Sequence, residues 1–256
     1  VDKKQKELAR SFFSRHAQEY AQSISHAGGR DLKRLLELLE PRSSERALDV
    51  ATGPGHTALA LAPFVREVIG IDLTPEMAIP FSQAARERGL RNVRFLVGDA
   101  ESLPFPEGEF HLVTTRRAAH HFPRIARALA EMARVLKPGG RLGIADMVAP
   151  ENPEAAQLFN ALEAARDNSH VQAYTVEEWQ GLIKEVGLSL LHLEAFEEEV
   201  TWPEWLYPLD PKGWEAKRVE EVLAQASPGI RPLVVQEGPG DRILIKRRMV
   251  LVALKG

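Results

Sequence analysis

The sequence predicts an α/β protein built on a mostly parallel, doubly wound sheet. Three observations carry this expectation. Short apolar runs between residues 46 and 148 alternate with helix-length stretches, the pattern of successive βαβ units. A glycine loop, Gly53-Pro54-Gly55, joins the first run to the first of those stretches. Aspartates accompany three successive runs, as Asp49, Asp72 and Asp99, and open α/β sheets bind ligands at the carboxyl ends of their strands.

Taken in order, residues 4–20 place Leu8, Phe12 and Phe13 on one helical face, and residues 30–39 (RDLKRLLELL) carry a leucine stripe at helical spacing. Gly28-Gly29 separates the two and Pro41 marks the end of the second, so residues 1–45 read as an N-terminal helical cap. Strands are expected at 47–51, 67–71, 93–97, 110–114 and 141–148, with helices at 56–62, 75–88 and 124–136. Pro138-Gly139-Gly140 is a helix-to-strand turn signal. Residues 46–150 therefore form the ligand-binding core. Past Val148 the pattern loosens, with helices expected at 153–166, 176–186 and 212–225 and a strand at 189–196. An aromatic, proline-rich stretch (Trp202, Pro203, Trp205, Tyr207, Pro208, Pro211, Trp214) lies between them. The β-branched run at 247–254 (RRMVLVAL) reads as a last strand inserted antiparallel beside an existing edge. Residues 151–256 are thus expected to supply a lid and the final strands of the same domain.

Composition narrows the function classes. The chain has 256 residues, 33 Lys+Arg against 36 Asp+Glu, a net charge of −3 and no cysteine. Without a basic excess, a nucleic-acid partner is not expected. Without cysteine there is no disulfide frame, thiolate nucleophile or Cys-ligated metal. Residues 1–20 are charged throughout and no run approaches the roughly 20 apolar residues of a membrane span. The expectation is a cytoplasmic protein without a membrane partner, monomeric or homodimeric.

The glycine loop lets a ligand approach the backbone, and the turn into the following helix favours an anionic group. A plain strand–turn–helix corner would also explain two glycines. The acids add weight. Asp49 lies four residues before Gly53; Asp72 ends the second strand, seventeen residues after Gly55; Asp99 follows the third in Val97-Gly98-Asp99-Ala100. An acid at the second strand's tip can accept both hydroxyls of a ribose, and one at the third can accept an exocyclic amine. A nicotinamide-dependent oxidoreductase would use the same loop and Asp72. Against it, Ala58 replaces the third glycine and Asp49 would repel a pyrophosphate while suiting an ammonium. The ligand presenting ammonium, carboxylate, ribose and adenine together is S-adenosylmethionine.

Residues 48–57 (LDVATGPGHT) resemble the first motif of the class I S-adenosylmethionine-dependent methyltransferases. Residues 69–77 (IGIDLTPEM) are similar to their second, 98–113 (GDAESLPFPEGEFHLV) to their third, and 134–142 (RVLKPGGRL) to the turn that follows. The subgroup most resembled is related to the ubiquinone/menaquinone-biosynthesis C-methyltransferases. The resemblance implies a seven-stranded sheet with an antiparallel last strand. It also implies that Asp72 holds the ribose, Asp99 the adenine amine beside Ala100, and Leu73 and Met77 the adenine faces. Ala51, Thr52, Gly53 and Gly55 would wall the methionine portion, with Asp49 facing its ammonium directly or through water. Tyr20 is the candidate aromatic that closes over the cofactor.

Methyl transfer from a sulfonium is an in-line displacement, so alignment and water exclusion are the enzyme's main tasks. A base is needed only where the acceptor must lose a proton. The segment after the fourth strand, residues 115–123 (TRRAAHHFP), lies where the methyl should sit. His120 and His121 are the candidate bases because imidazole titrates near neutrality; the competing reading has one of them buttress the next helix. Arg116 and Arg117 offer to recognise an anionic group on cofactor or substrate. The histidine pair has no third ligand at metal spacing, so no metal is expected. Residues 166–170 (RDNSH) and the aromatic stretch are candidates for a lid or acceptor pocket, and the aromatics equally for filling core. A small molecule methylated on oxygen, nitrogen or carbon is the expected acceptor. The alternatives are the oxidoreductase and a binding protein that keeps the pocket and transfers nothing.

Overall fold

The computed structural model describes residues 2–22, 28–207 and 209–256. Pro208, part of the aromatic stretch, lies outside the described residues. Strands β1 (Arg46–Val50), β2 (Glu67–Asp72), β3 (Val93–Val97), β4 (Phe110–Arg116) and β5 (Leu136–Val148) are joined in one sheet by β6 (Leu188–Thr201), β7 (Val235–Glu237) and β8 (Arg242–Lys255). Seven of them run in the order β3-β2-β1-β4-β5-β8-β6, and the three-residue β7 adds to β8. β1 to β5 pair in parallel. β8 opposes both β5 and β6.

The helices are α1 (Asp2–Arg15), α2 (Ala17–Gln22), α3 (Arg30–Leu39), α4 (His56–Leu61), α5 (Ala78–Glu87), α6 (Ile125–Val135), α7 (Pro153–Arg166), α8 (Val176–Glu185), α9 (Trp202–Leu206) and α10 (Trp214–Ala224). Alternation along the strands assigns them to faces. On β1, Ala47 packs with Leu35, Leu39, Leu59 and Phe81 of α3, α4 and α5. Its neighbours Leu48 and Val50 pack with Leu129, Met132, Trp179 and Ile183 of α6 and α8. Gly143 of β5 lets α3 come close: a Cβ there would meet Leu35 at 2.8 Å.

Three details differ from the sequence expectation, each for a local reason. The last strand is interior, with Leu251, Val252 and Ala253 fully buried, because β6 closes its second side; strands covered on both faces read as continuous apolar runs. β5 begins at Leu136, five residues before expected, and the Pro138-Gly139-Gly140 turn becomes a register shift opposite Phe110 and Leu112. The N-terminal helix is two helices, parted at His16. Of the two roles left open for the aromatic stretch, Trp202 and Trp205 take the core one, packed with Phe159, Leu162 and Val219 in a lobe around α7 and α10. Among the described residues, no helix is long and apolar enough to cross a membrane.

Candidate active site

The chain leaves β1 through a strained turn. Ala51 has φ 54°, Gly53 φ 53° and Gly55 φ 93°; positive φ at Ala51 costs about 1 kcal/mol or more and persists only where the surroundings enforce it. The enforcement comes from Asp72. Its Oδ2 accepts the Gly53 N–H at 2.8 Å and its Oδ1 accepts the Thr74 N–H at 2.8 Å. Each oxygen retains a lone pair for a further donor. Burial raises the Asp72 pKa, and hydrogen bonds from Thr74, Gly53 and Leu73 work against that rise.

Above this turn opens a cleft. Ala51, Thr52, Gly53 and Asp72 form its floor, with Leu73 and Met77 beside them. Asp99 and Ala100 wall one end; Arg116 and His121 wall the other. Tyr20 lines it from α2, and Lys6, Arg10 and Phe13 from α1. The roof is fastened rather than merely laid on. Lys6 Nζ pairs with Asp99 Oδ2 at 2.7 Å and with the buried Glu101 at 2.6 Å. The amide of Gln5 donates to the carbonyls of Asn168 and His170.

Three predicted site residues fall elsewhere. Asp49 shares the sheet face of Ala47, so its carboxylate points under the loop instead of into the cleft. It accepts hydrogen bonds from Thr52 Oγ1 and Thr114 Oγ1, both at 2.7 Å, and from the Ala58 N–H at 3.2 Å. Burial pushes its pKa up to about 6 despite those bonds. Gly55 also lies off the lining: it caps α4 with a left-handed conformation, and a Cβ there would strike the Phe81 ring. His120 is turned inward on the 3-10 turn Ala119–His121, with Nδ1 2.6 Å from Asp146 Oδ1. Its partner is thus a residue of β5 rather than of the helix that follows it.

His121 therefore stands alone of the pair at the cleft. Its Nδ1 is 3.1 Å from both the carbonyl and the hydroxyl of Ser169, and its ring meets Phe13 edge-on at 5.0 Å. Burial, and then the neighbouring His120, push its pKa down to about 4. Tyr20 is held by its backbone carbonyl, 3.0 Å from His56 Nε2. Burial raises its hydroxyl to about 12 although the Arg166 guanidinium is hydrogen-bonded to it.

Arg116 and Arg117 both line the cleft, and both are engaged by Asp31 of α3. Arg116 Nε and Nη2 reach the two carboxylate oxygens at 2.9 Å; Arg117 Nε and Nη2 do so at 2.8 and 3.0 Å. Burial opposes ionisation of Asp31, yet the two guanidiniums hold its carboxyl well below the usual range. Burial together with Arg248 lowers Arg117 to about 10. Sequence reasoning missed Asp31, Lys6, Glu101 and Asp146. Nothing in the sequence marks their long-range pairings, except that Arg116 and Arg117 announce a carboxylate somewhere.

A family model described as a methyltransferase domain matches residues 48–144. YcgJ of Bacillus subtilis, described as an uncharacterized methyltransferase, is 41% identical over 194 residues, covering 76% of this chain and 77% of YcgJ. Its crystal structure superimposes with a TM-score of 0.82 at 33% identity, over 90% of this chain and all of that one. A demethylmenaquinone methyltransferase of Thermus thermophilus is 42% identical over 128 residues, 48% of this chain and 57% of that enzyme. These matches span the strained turn, the acids at the strand tips and the sheet order just described. This chain belongs to the class I S-adenosylmethionine-dependent methyltransferases.

Proposed function

We propose that this enzyme methylates a small molecule held between the strained turn, α1 and the His121 segment. The observation that carries the reading is the enclosure of Phe13, Tyr20 and His121 in one cleft with Asp72 and Asp99. The donor set fits the cofactor. Asp72 keeps lone pairs for a ribose diol, and Asp99, whose Oδ1 takes the Glu101 N–H, keeps capacity on both oxygens for an adenine amine. Leu73 and Met77 supply the apolar sides of the base pocket, and Ala51, Thr52 and Gly53 the wall for the methionine portion. Asp49 would act on the ammonium through the loop or a water, since it lies beneath Thr52. When bound, S-adenosylmethionine supplies a methyl group already activated by a sulfonium.

The residues of this chain then have three tasks. Phe13 and Tyr20 exclude water from above. Arg116 and Arg117, already paired with Asp31, set a positive rim that steers the cofactor carboxylate or an anionic part of the acceptor. His121 faces the acceptor. Residues 1–45 act as the cap, 46–150 as the cofactor half and 151–256 as the acceptor side. Calorimetry with S-adenosylhomocysteine tests the cofactor residues: Asp72→Ala removes two charge-assisted hydrogen bonds and should weaken binding roughly 10- to 100-fold. Unchanged affinity would refute the assignment. Release of S-adenosylhomocysteine with a panel of phenols, quinols and amines tests the acceptor class; turnover only with a macromolecule would sink it.

A further inference from the structure

Behind His121 lies a chain of polar groups that cofactor binding does not use. The loop after α7 carries Asp167 and Ser169, both buried. Ser169 Oγ donates to Asp167 Oδ1 at 2.6 Å, and the Ser169 N–H donates to the same oxygen at 2.8 Å. With its proton committed to the carboxylate, that hydroxyl can only accept from His121. The Ser169 carbonyl is likewise only an acceptor. Both lie 3.1 Å from His121 Nδ1. The imidazole must therefore carry its hydrogen on Nδ1, which leaves the lone pair on Nε2 at the far side of the ring. Gln5 of α1 holds the carbonyls on either side of Ser169, those of Asn168 and His170, so the roof of the cleft fixes the same loop.

We propose that Asp167 and Ser169 are positioning residues that hold His121 as the Nδ1–H tautomer, its Nε2 serving as base for an acceptor that must lose a proton. The inference rests on the methyltransferase reading of the cleft. It selects a phenolic or enolic hydroxyl over tertiary amines and thioethers, which need no base. In the step, the acceptor oxygen forms its bond to the methyl carbon while the sulfur–carbon bond breaks and sulfur keeps the electron pair. The hydroxyl proton passes to Nε2. The positive charge thus moves from sulfur to imidazole, so the cleft holds the same net charge before and after. Burial and His120 hold the resting imidazole neutral; loss of the sulfonium removes a further positive charge as imidazolium forms. The groups around the ring are His120, His170, Asp146 and Asp167.

Nitrogen NMR of the histidine side chains in the full chain, saturated with S-adenosylhomocysteine, tests this without knowing the acceptor. His121 should show a protonated Nδ1 and an unprotonated Nε2 across pH 6–8, with no titration in that window. In Ser169→Ala the hydroxyl acceptor and its link to Asp167 are lost while the backbone carbonyl stays, so the His121 signals should gain a minor Nε2–H population. Ser169→Thr, which keeps the hydroxyl, should restore them. An Nε2–H tautomer in the unsubstituted enzyme, or titration near pH 6.5, overturns the proposal. Calorimetry on the same samples separates the two readings: failure to bind S-adenosylhomocysteine refutes the cleft assignment, whereas binding with the wrong tautomer refutes only the role of His121.

Discussion

Asp49 is bonded by three donors, yet its folded pKa is about 6 because desolvation outweighs those bonds. A carboxyl with a raised folded pKa stabilises the fold below its unfolded value near 4, and that contribution is lost as pH rises through about 6. The loss is about 3 kcal/mol. Asp49→Asn keeps the contacts: the amide oxygen can accept from Thr52 and Ala58, while the amide nitrogen donates to Thr114 Oγ1. Thermal denaturation should therefore show the variant more stable than the unsubstituted enzyme at pH 8, with the gap closing by pH 4. A variant less stable at pH 8 would mean that the fold holds Asp49 as an anion. At this scale the sequence revealed which acids matter but not where each points. Asp72 and Asp99 leave strand tips and face the cleft. Asp49 sits inside a strand, and its direction depends on which face α4 covers, a tertiary fact. His120 and His121 are neighbours in the chain, and only the 3-10 turn decides which of them reaches the cleft.

Helix α1 is the element most exposed to test, because few contacts other than its polar fastenings tie it down. Phe12 is its single buried residue among those described. Lys6 bridges Asp99 and Glu101, Gln5 holds the loop after α7, and Asp2 lies 3.2 Å from Arg124. Lys6→Met should free α1 at the adenine end while leaving Glu101 paired with Arg124. A partly buried pair of this kind contributes about 1 kcal/mol, so S-adenosylhomocysteine should dissociate roughly fivefold faster in stopped-flow displacement. An unchanged off-rate would show that α1 does not gate the pocket. Elements with clear local signals were the legible ones: α3 carries its leucine stripe and α7 its Asn152 cap and Pro153 start, and both match their predicted bounds. Those missed were short or set by pairing. The five residues of α9 carry a capping box, Thr201 and Glu204, that the surrounding prolines and tryptophans masked. The three residues of β7 gain strand form only from β8.

On the scale of the whole molecule, the cleft is a joint between segments far apart in the chain. Its floor belongs to β1 and β2, its ends to the tips of β3 and β4, and its roof to α1 and α2. A ligand seated there touches all of them, so its binding energy is distributed over the joint and opposes separation of the cap from the sheet. S-adenosylhomocysteine at a hundredfold excess over its Kd should stabilise the enzyme by about 2.7 kcal/mol, which for a chain of this size raises Tm by about 5–10 °C. Asp72→Ala should abolish most of that shift at the same ligand concentration. Hydrogen exchange then locates the gain. Amides of α1, α2 and the loop through Ser169 should become protected together, because Gln5 and Lys6 couple the roof to both ends of the cleft. A rise in Tm with exchange in α1 unchanged would show that the cofactor grips the sheet alone, and that the cap closes only when an acceptor is present.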